Sequence, residues 1–336
     1  QLQVVDSRDR PLRTVGLVHG RPGKDVTTTL DIDIQRAAAA AYGGTVGGAV
    51  VLRPQTGDVL AVVSSAELDP NNYVGVDVSP FNRALSGLYP PGSSFKVVTS
   101  AAALDSGEVT AGTQLTGPAE YKGVRNFESE QFATLDFASA LQHSVNTAFA
   151  QVAEKIGAKR LTRYAESFGF NAAPEMPLHA ATSSFPMPAD EGDLLWSSVG
   201  QAQVLATPLQ MASIAATVAN GGRHVEPRIL LGDKPDITRI MSRSSASTLT
   251  RLMEGVVQGG TGVAAQIPGV AVAGKTGTAE VDVAGERKNH AWFVCFAPAG
   301  DPKLAVAVVS ELGGIGGEVA APLARGILAS TLPLAP

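Results

Sequence analysis

The sequence predicts an α+β fold: one antiparallel sheet built from both ends of the chain, with flanking helices and a mainly helical subdomain, about residues 90–260, inserted between its parts. Three observations carry this. Near the start, GGAVVLRPQTGDVLAVVSS holds two valine-rich runs around Pro54-Gln55-Thr56-Gly57-Asp58, the pattern of a β-hairpin. Near the end, GVAVAGKTGTAEV, NHAWFVCFAPAG and PKLAVAVVSELGG are short β-rich segments parted by turn signals. Between them, KVVTSAAALDSG, LDFASALQHSVNTAFAQVAEKIG and TPLQMASIAATVANGG show helix-compatible apolar spacing and stop at Gly107, Gly157 and Gly221.

Each element has its local reason. Residues 1–28 are charged and rich in turn formers, and read as a connector from an upstream region missing from this chain. TTLDIDIQRAAAAAYGG is a helix with Thr29 or Asp31 as N-cap, Asp33 in its first turn and a stop at Gly43-Gly44. The run from Leu135 to Gly157 reads as one helical segment, with Ser144 in its N-terminal half. EVAAPLARGILASTL closes the chain as a helix. The cluster GGIGGEVA lacks the GK[ST] ending of a phosphate loop, so it reads as a strand-to-helix turn.

Bulk composition narrows the function. The chain has 336 residues, 44% hydrophobic and 17% charged, enough for a sizeable core. A formal net charge of −5 supplies no basic field for a phosphate backbone, which argues against a nucleic-acid partner. The single Cys295, in AWFVCFAP, forms no intrachain disulfide and reads as a buried strand position. Five histidines without zinc spacing support neither a metal nor another cofactor. No apolar run reaches the roughly 18 residues of a membrane helix, and the opening residues read as the middle of a longer protein, with any export signal or anchor upstream.

Three short motifs carry chemistry. Ser93 and Lys96 stand at i and i+3, on one face of a helix that starts after Pro90-Pro91-Gly92, whereas Ser94 is one step too close to the lysine. A serine there is placed to attack a carbonyl, and Lys96 takes its proton if burial or a neighbouring cation keeps the amine neutral. Ser144-Val145-Asn146 adds a hydroxyl to relay a proton and an amide to bind a peptide backbone group. Lys275-Thr276-Gly277, followed by Thr278, offers a cation, two hydroxyls for a carboxylate and a glycine that lets an extended peptide approach the strand edge. The backbone N–H groups of Ser93 and Thr278 would form an oxyanion hole. Singly, each motif reads as a helix cap, a surface pair or an edge strand; SxxK alone arises about once by chance in a chain this long. Their joint occurrence in this order is the signal.

At these residues the sequence resembles the penicillin-recognising serine enzymes, and within them the transpeptidase domain of class B penicillin-binding proteins of actinobacterial type. TTLDIDIQ, LYPPGSSFKVVTSAAALDSG, SVNTAFAQVAEKIG, TPLQMASIAATVANGG, AGKTGTAE and HAWFVCFAP carry the likeness across nearly the whole chain from about residue 27. The resemblance implies a β-lactamase/transpeptidase-like domain over 29–336. It also implies acylation of Ser93 by a D-alanyl-D-alanine stem peptide of peptidoglycan, aminolysis by a neighbouring stem peptide, and covalent inhibition by β-lactam antibiotics. By the same resemblance Lys96 is the acylation base, Ser144 and Asn146 flank the cleft, and Lys275, Thr276 and Thr278 hold the substrate carboxylate. It implies an extracytoplasmic site of action, an upstream anchor and a membrane glycosyltransferase partner. The family's frequent IGQG stands here as VGQA, Val199 to Ala202. A β-lactamase, a D,D-carboxypeptidase and a non-enzymatic β-lactam sensor are the alternatives within the superfamily; no glutamate that would activate water for fast deacylation is assignable by motif.

Overall fold

The computed structural model describes residues 2–16, 23–65 and 81–335. Its centre is a five-stranded sheet: β1 (Gly47–Leu52), β2 (Val59–Ser64), β3 (Ala273–Val283), β4 (Glu286–Ala297) and β5 (Leu304–Ser310). The strand order is β3-β4-β5-β1-β2, and every pairing is antiparallel. Both ends of the chain thus meet at the β5–β1 pairing, as the sequence predicts. β3 and β4 pair from Ala273↔Phe296 to Val283↔Glu286, so they are longer than the short segments read from sequence.

Alternation along β4 divides the core. Phe293 and Cys295 face the layer formed by α1 (Ile32–Tyr42) and the closing helix Ala320–Thr331, where Ile34, Ala38, Ile327 and Leu328 are buried. Trp292, Val294 and Phe296 face the other way, into the cluster shared with the helical subdomain. Cys295 is fully buried, and burial pushes its thiol pKa up, away from reactivity. α1 begins at Asp31, whose carboxylate accepts from the N–H groups of Asp33 and Ile34, and ends at Gly43 with φ 64°.

The inserted subdomain contains α2 (Lys96–Asp105), α3 (Asn146–Ile156), α4 (Pro208–Ala219) and α5 (Arg243–Gly259). α4 lies against β5 and β1 with nearly every side chain buried. Three two-stranded ribbons accompany the helices: Gln114–Gly117 with Phe132–Asp136, Glu120–Tyr121 with Val124–Arg125, and Arg223–Val225 with Ile237–Arg239. At the sheet's turn, Asp58 is 3% exposed and joins Arg53 at 3.1 Å to Arg228 at 2.6 Å, tying the subdomain's far end to the β1–β2 hairpin. Within the residues read as a connector, Leu2–Val5 and Pro11–Gly16 form a separate antiparallel hairpin.

One expectation needs correcting. The segment from Leu135 to Gly157 is not one helix: it comprises a strand end, a short helix at Phe137–Gln142, a turn at His143–Val145, and α3. Ser144 breaks it with φ 59°, which costs a non-glycine residue about 1–2 kcal/mol. The apolar spacing runs through the break, so periodicity does not reveal it.

Ala202, in VGQA, adopts φ 56° on the exposed surface. Ala202→Gly is therefore expected to be stabilising. Relief of about 1–2 kcal/mol of left-handed strain exceeds the roughly 0.5–1 kcal/mol of added unfolded-state entropy. The thermal midpoint should rise by about 1–2 °C; a lower midpoint in differential scanning calorimetry would contradict this account.

Candidate active site

The chain enters the site through Tyr89-Pro90-Pro91. Trp292 on β4 donates its indole N–H to the Pro90 carbonyl at 2.9 Å, and the Gly92 N–H binds the Gly200 carbonyl at 2.9 Å. Gly92, with φ 52°, opens a 3-10 turn, Gly92–Phe95, that runs directly into α2. Here the two serines diverge. Ser93 is partly exposed; Ser94 is fully buried and donates to the Pro91 carbonyl at 2.6 Å.

Lys96 is fully buried with its Nζ 2.9 Å from Ser93 Oγ, 2.6 Å from the Ser144 carbonyl, 3.1 Å from Ser144 Oγ and 2.6 Å from Asn146 Oδ1. Four oxygens surround a group that has three N–H bonds as an ammonium. A neutral amine fits differently: two N–H groups serve Ser144 O and Asn146 Oδ1, and the lone pair accepts the Ser93 hydroxyl. Burial, then the charge of Lys275, holds the Lys96 pKa well below the usual lysine range. The left-handed turn at Ser144 aims both its carbonyl and its hydroxyl at this amine.

Lys275 on β3 is also fully buried, and burial pushes its pKa down to about 7. Its Nζ lies 2.9 Å from Ser144 Oγ, 2.9 Å from the Thr276 carbonyl and 3.3 Å from Thr276 Oγ1, three acceptors for three N–H bonds. Ser144 Oγ therefore bridges two lysines.

Among the described residues, β3 is an edge strand, paired only with β4. It passes so close to the Gly92–Phe95 turn that a Cβ on Gly277 would stand 2.7 Å from the Pro91 carbonyl and 3.1 Å from the Ser94 nitrogen. A Cβ on Gly92 would stand 2.8 Å from the Thr278 carbonyl. Strand alternation puts Thr276 and Thr278 on the other face. Thr276 Oγ1 is 2.6 Å from Thr261 Oγ1, and Thr278 Oγ1 accepts from the Gly316 N–H at 3.1 Å.

Ser93, Lys96, Ser144, Asn146, Lys275 and Thr276 thus form one hydrogen-bonded network, with Gly277 and Thr278 beside the turn that bears Ser93. Sequence reasoning missed Thr261 and Trp292. Each acts through a contact made at long range, 15 residues for Thr261 and 202 for Trp292, which leaves no local motif. Near the site, His290 stacks edge-on against Tyr89 and accepts from the Leu312 N–H, while Glu280 is exposed beside Arg287.

The model of the penicillin binding protein transpeptidase domain matches residues 47–329. The chain is 37% identical to the peptidoglycan D,D-transpeptidase PbpA of Mycobacterium tuberculosis, over 92% of this chain and 73% of the relative. Among solved structures, the penicillin G acyl-enzyme complex of M. tuberculosis penicillin-binding protein A superposes with a TM-score of 0.81 at 36% identity, covering 91% of this chain and 80% of that one. The D,D-transpeptidase domain of a peptidoglycan glycosyltransferase from Eggerthella lenta gives 0.85 at 34% identity, covering 93% and 84%.

Proposed function

The chain belongs to the penicillin-binding protein transpeptidase domain family, and from that premise we infer that it is a serine peptidoglycan D,D-transpeptidase acting outside the cytoplasm and acylated by β-lactams. The observation that supports a covalent mechanism most directly is the Ser93 hydroxyl 2.9 Å from the buried Lys96 amine.

In the proposed first step the Ser93 O–H proton passes to Lys96 Nζ as Ser93 Oγ attacks the carbonyl carbon of the penultimate D-alanine. The Ser93 and Thr278 N–H groups receive the charge that develops on the carbonyl oxygen. The C–N bond then breaks, and the proton moves from Lys96 through Ser144 to the departing D-alanine amine. An amine of a second stem peptide attacks the resulting ester, returns a proton to Ser93 Oγ by the same route, and closes the cross-link. Lys275, Thr276 and Thr278 hold the terminal carboxylate of the donor, and Asn146 orients its backbone amide. The proposal extends to an upstream anchor and to a membrane glycosyltransferase that supplies the strands to be linked.

Intact-mass spectrometry with penicillin tests this reading. One drug-sized adduct per chain is expected, mapped to the peptide containing Ser93 and persisting for hours after free drug is removed. Rapid return to the unmodified mass with hydrolysed drug would instead identify a β-lactamase, and no adduct would remove the family's chemistry from this site.

A further inference from the structure

α3 carries Asn146 as its first residue, yet its N-cap is Val145, which has no side chain able to cap it. The first N–H groups of a helix need an outside acceptor. The N–H of Thr147 finds one in Asn126, 21 residues earlier, whose Oδ1 accepts it at 3.0 Å and lies 3.3 Å from the Thr147 hydroxyl. This is an N-cap supplied in trans.

The other end of the same amide is equally committed. Asn126 Nδ2 donates to the Pro118 carbonyl and to the Glu130 carbonyl, each at 2.9 Å, and its backbone N–H binds the Ala119 carbonyl at 3.1 Å. A side-chain amide offers two donors and one oxygen with two lone pairs. Asn126, only 6% exposed, uses all of them. It therefore ties both ends of the loop from Pro118 to Glu130 to the start of α3.

The neighbouring residue converts this anchorage into control of the site. The Arg125 carbonyl accepts from Asn146 Nδ2 at 2.8 Å. With Nδ2 held there, the Asn146 oxygen must point the other way, toward Lys96 Nζ at 2.6 Å and Ser93 Oγ at 3.5 Å. Remove the Arg125 carbonyl and the Asn146 amide is free to rotate its N–H groups toward the lysine, where donor would face donor whenever the amine is protonated.

We propose that Asn126 is a positioning residue for acylation: it fixes the Arg125 carbonyl, which sets the orientation of the Asn146 amide against Lys96 and Ser93. This rests on the functional reading above. Asn126 touches none of the reacting atoms and acts only through Asn146.

The test is a double-mutant cycle on the rate of penicillin acylation, with Asn126→Ala, Asn146→Ala and the double variant. Asn126→Ala is expected to slow acylation about 10- to 100-fold, while the double variant acylates about as fast as Asn146→Ala alone. Effects that multiply, or Asn126→Ala acylating at the wild-type rate, would overturn the proposal. Should Asn126→Ala not fold, Asn126→Asp retains both acceptors for Thr147 but repels the Pro118 and Glu130 carbonyls. It is expected to lower the thermal midpoint, remain folded by circular dichroism with its helix cap kept, and lose about tenfold in rate. Full activity in Asn126→Asp would mean that only the helix cap matters, against the proposal. A wild-type chain that penicillin does not label defeats the functional reading itself; a labelled wild type with multiplicative effects defeats only the role given to Asn126.

Discussion

Lys96→Ala is expected to slow acylation of Ser93 by about a thousandfold or more while the fold is retained, because a positioned general base contributes roughly 10²–10⁴-fold and, among the described residues, Lys96 is the amine in hydrogen-bond contact with Ser93 Oγ. Circular dichroism and stopped-flow acylation with a chromogenic cephalosporin decide the matter; an unchanged rate would remove Lys96 as the base. The pH profile follows from the two lysines. Acylation needs neutral Lys96, so the rate rises as pH climbs through the Lys96 pKa, which burial and Lys275 hold well below the ordinary range. Lys275 is pushed down to about 7 by burial, so above that pH it loses the charge that attracts a carboxylate. The second-order rate in the free enzyme should therefore fall on the alkaline side, giving a bell. A rate still climbing well above pH 8 would exclude a role for the Lys275 charge.

Ser93→Ala is expected to abolish covalent penicillin binding outright, and Ser94→Ala to leave it largely intact. Ser94 Oγ is fully buried and spent on the Pro91 carbonyl, so its loss removes a hydrogen bond worth about 1 kcal/mol and no chemistry. Labelling of Ser93→Ala at wild-type extent, read by intact mass, would sink the assignment of the nucleophile.

Much of this was legible in the sequence because it is written in local rules. The Asp31 cap, the hairpin around Gly57 and the i,i+3 pairing of Ser93 with Lys96 each depend on residues a few positions apart, and the order of the three motifs matches the network they form. What was illegible is long-range or aperiodic. The left-handed Ser144 interrupts a segment whose apolar spacing continues past it, since one strained residue leaves no mark on a 3.6-residue period. The Thr261–Thr276 hydroxyl pair and the Asn126 cap join elements that only the folded chain brings together. The edge position of β3, on which access to Gly277 depends, follows from sheet order rather than from any property of GKTGTAE itself.

The absence of side chains where the Gly92 turn meets the Gly277 edge bears on how drug susceptibility can change. A new side chain at either glycine would drive into the Thr278 or Pro91 carbonyl and shift the nucleophile with it, so variation there forfeits catalysis along with inhibition. Routes to resistance that preserve cross-linking must instead run through residues outside this backbone contact. On the proposed reading, the bare backbone that would admit the substrate also narrows the chain's options for evading a mimic of it.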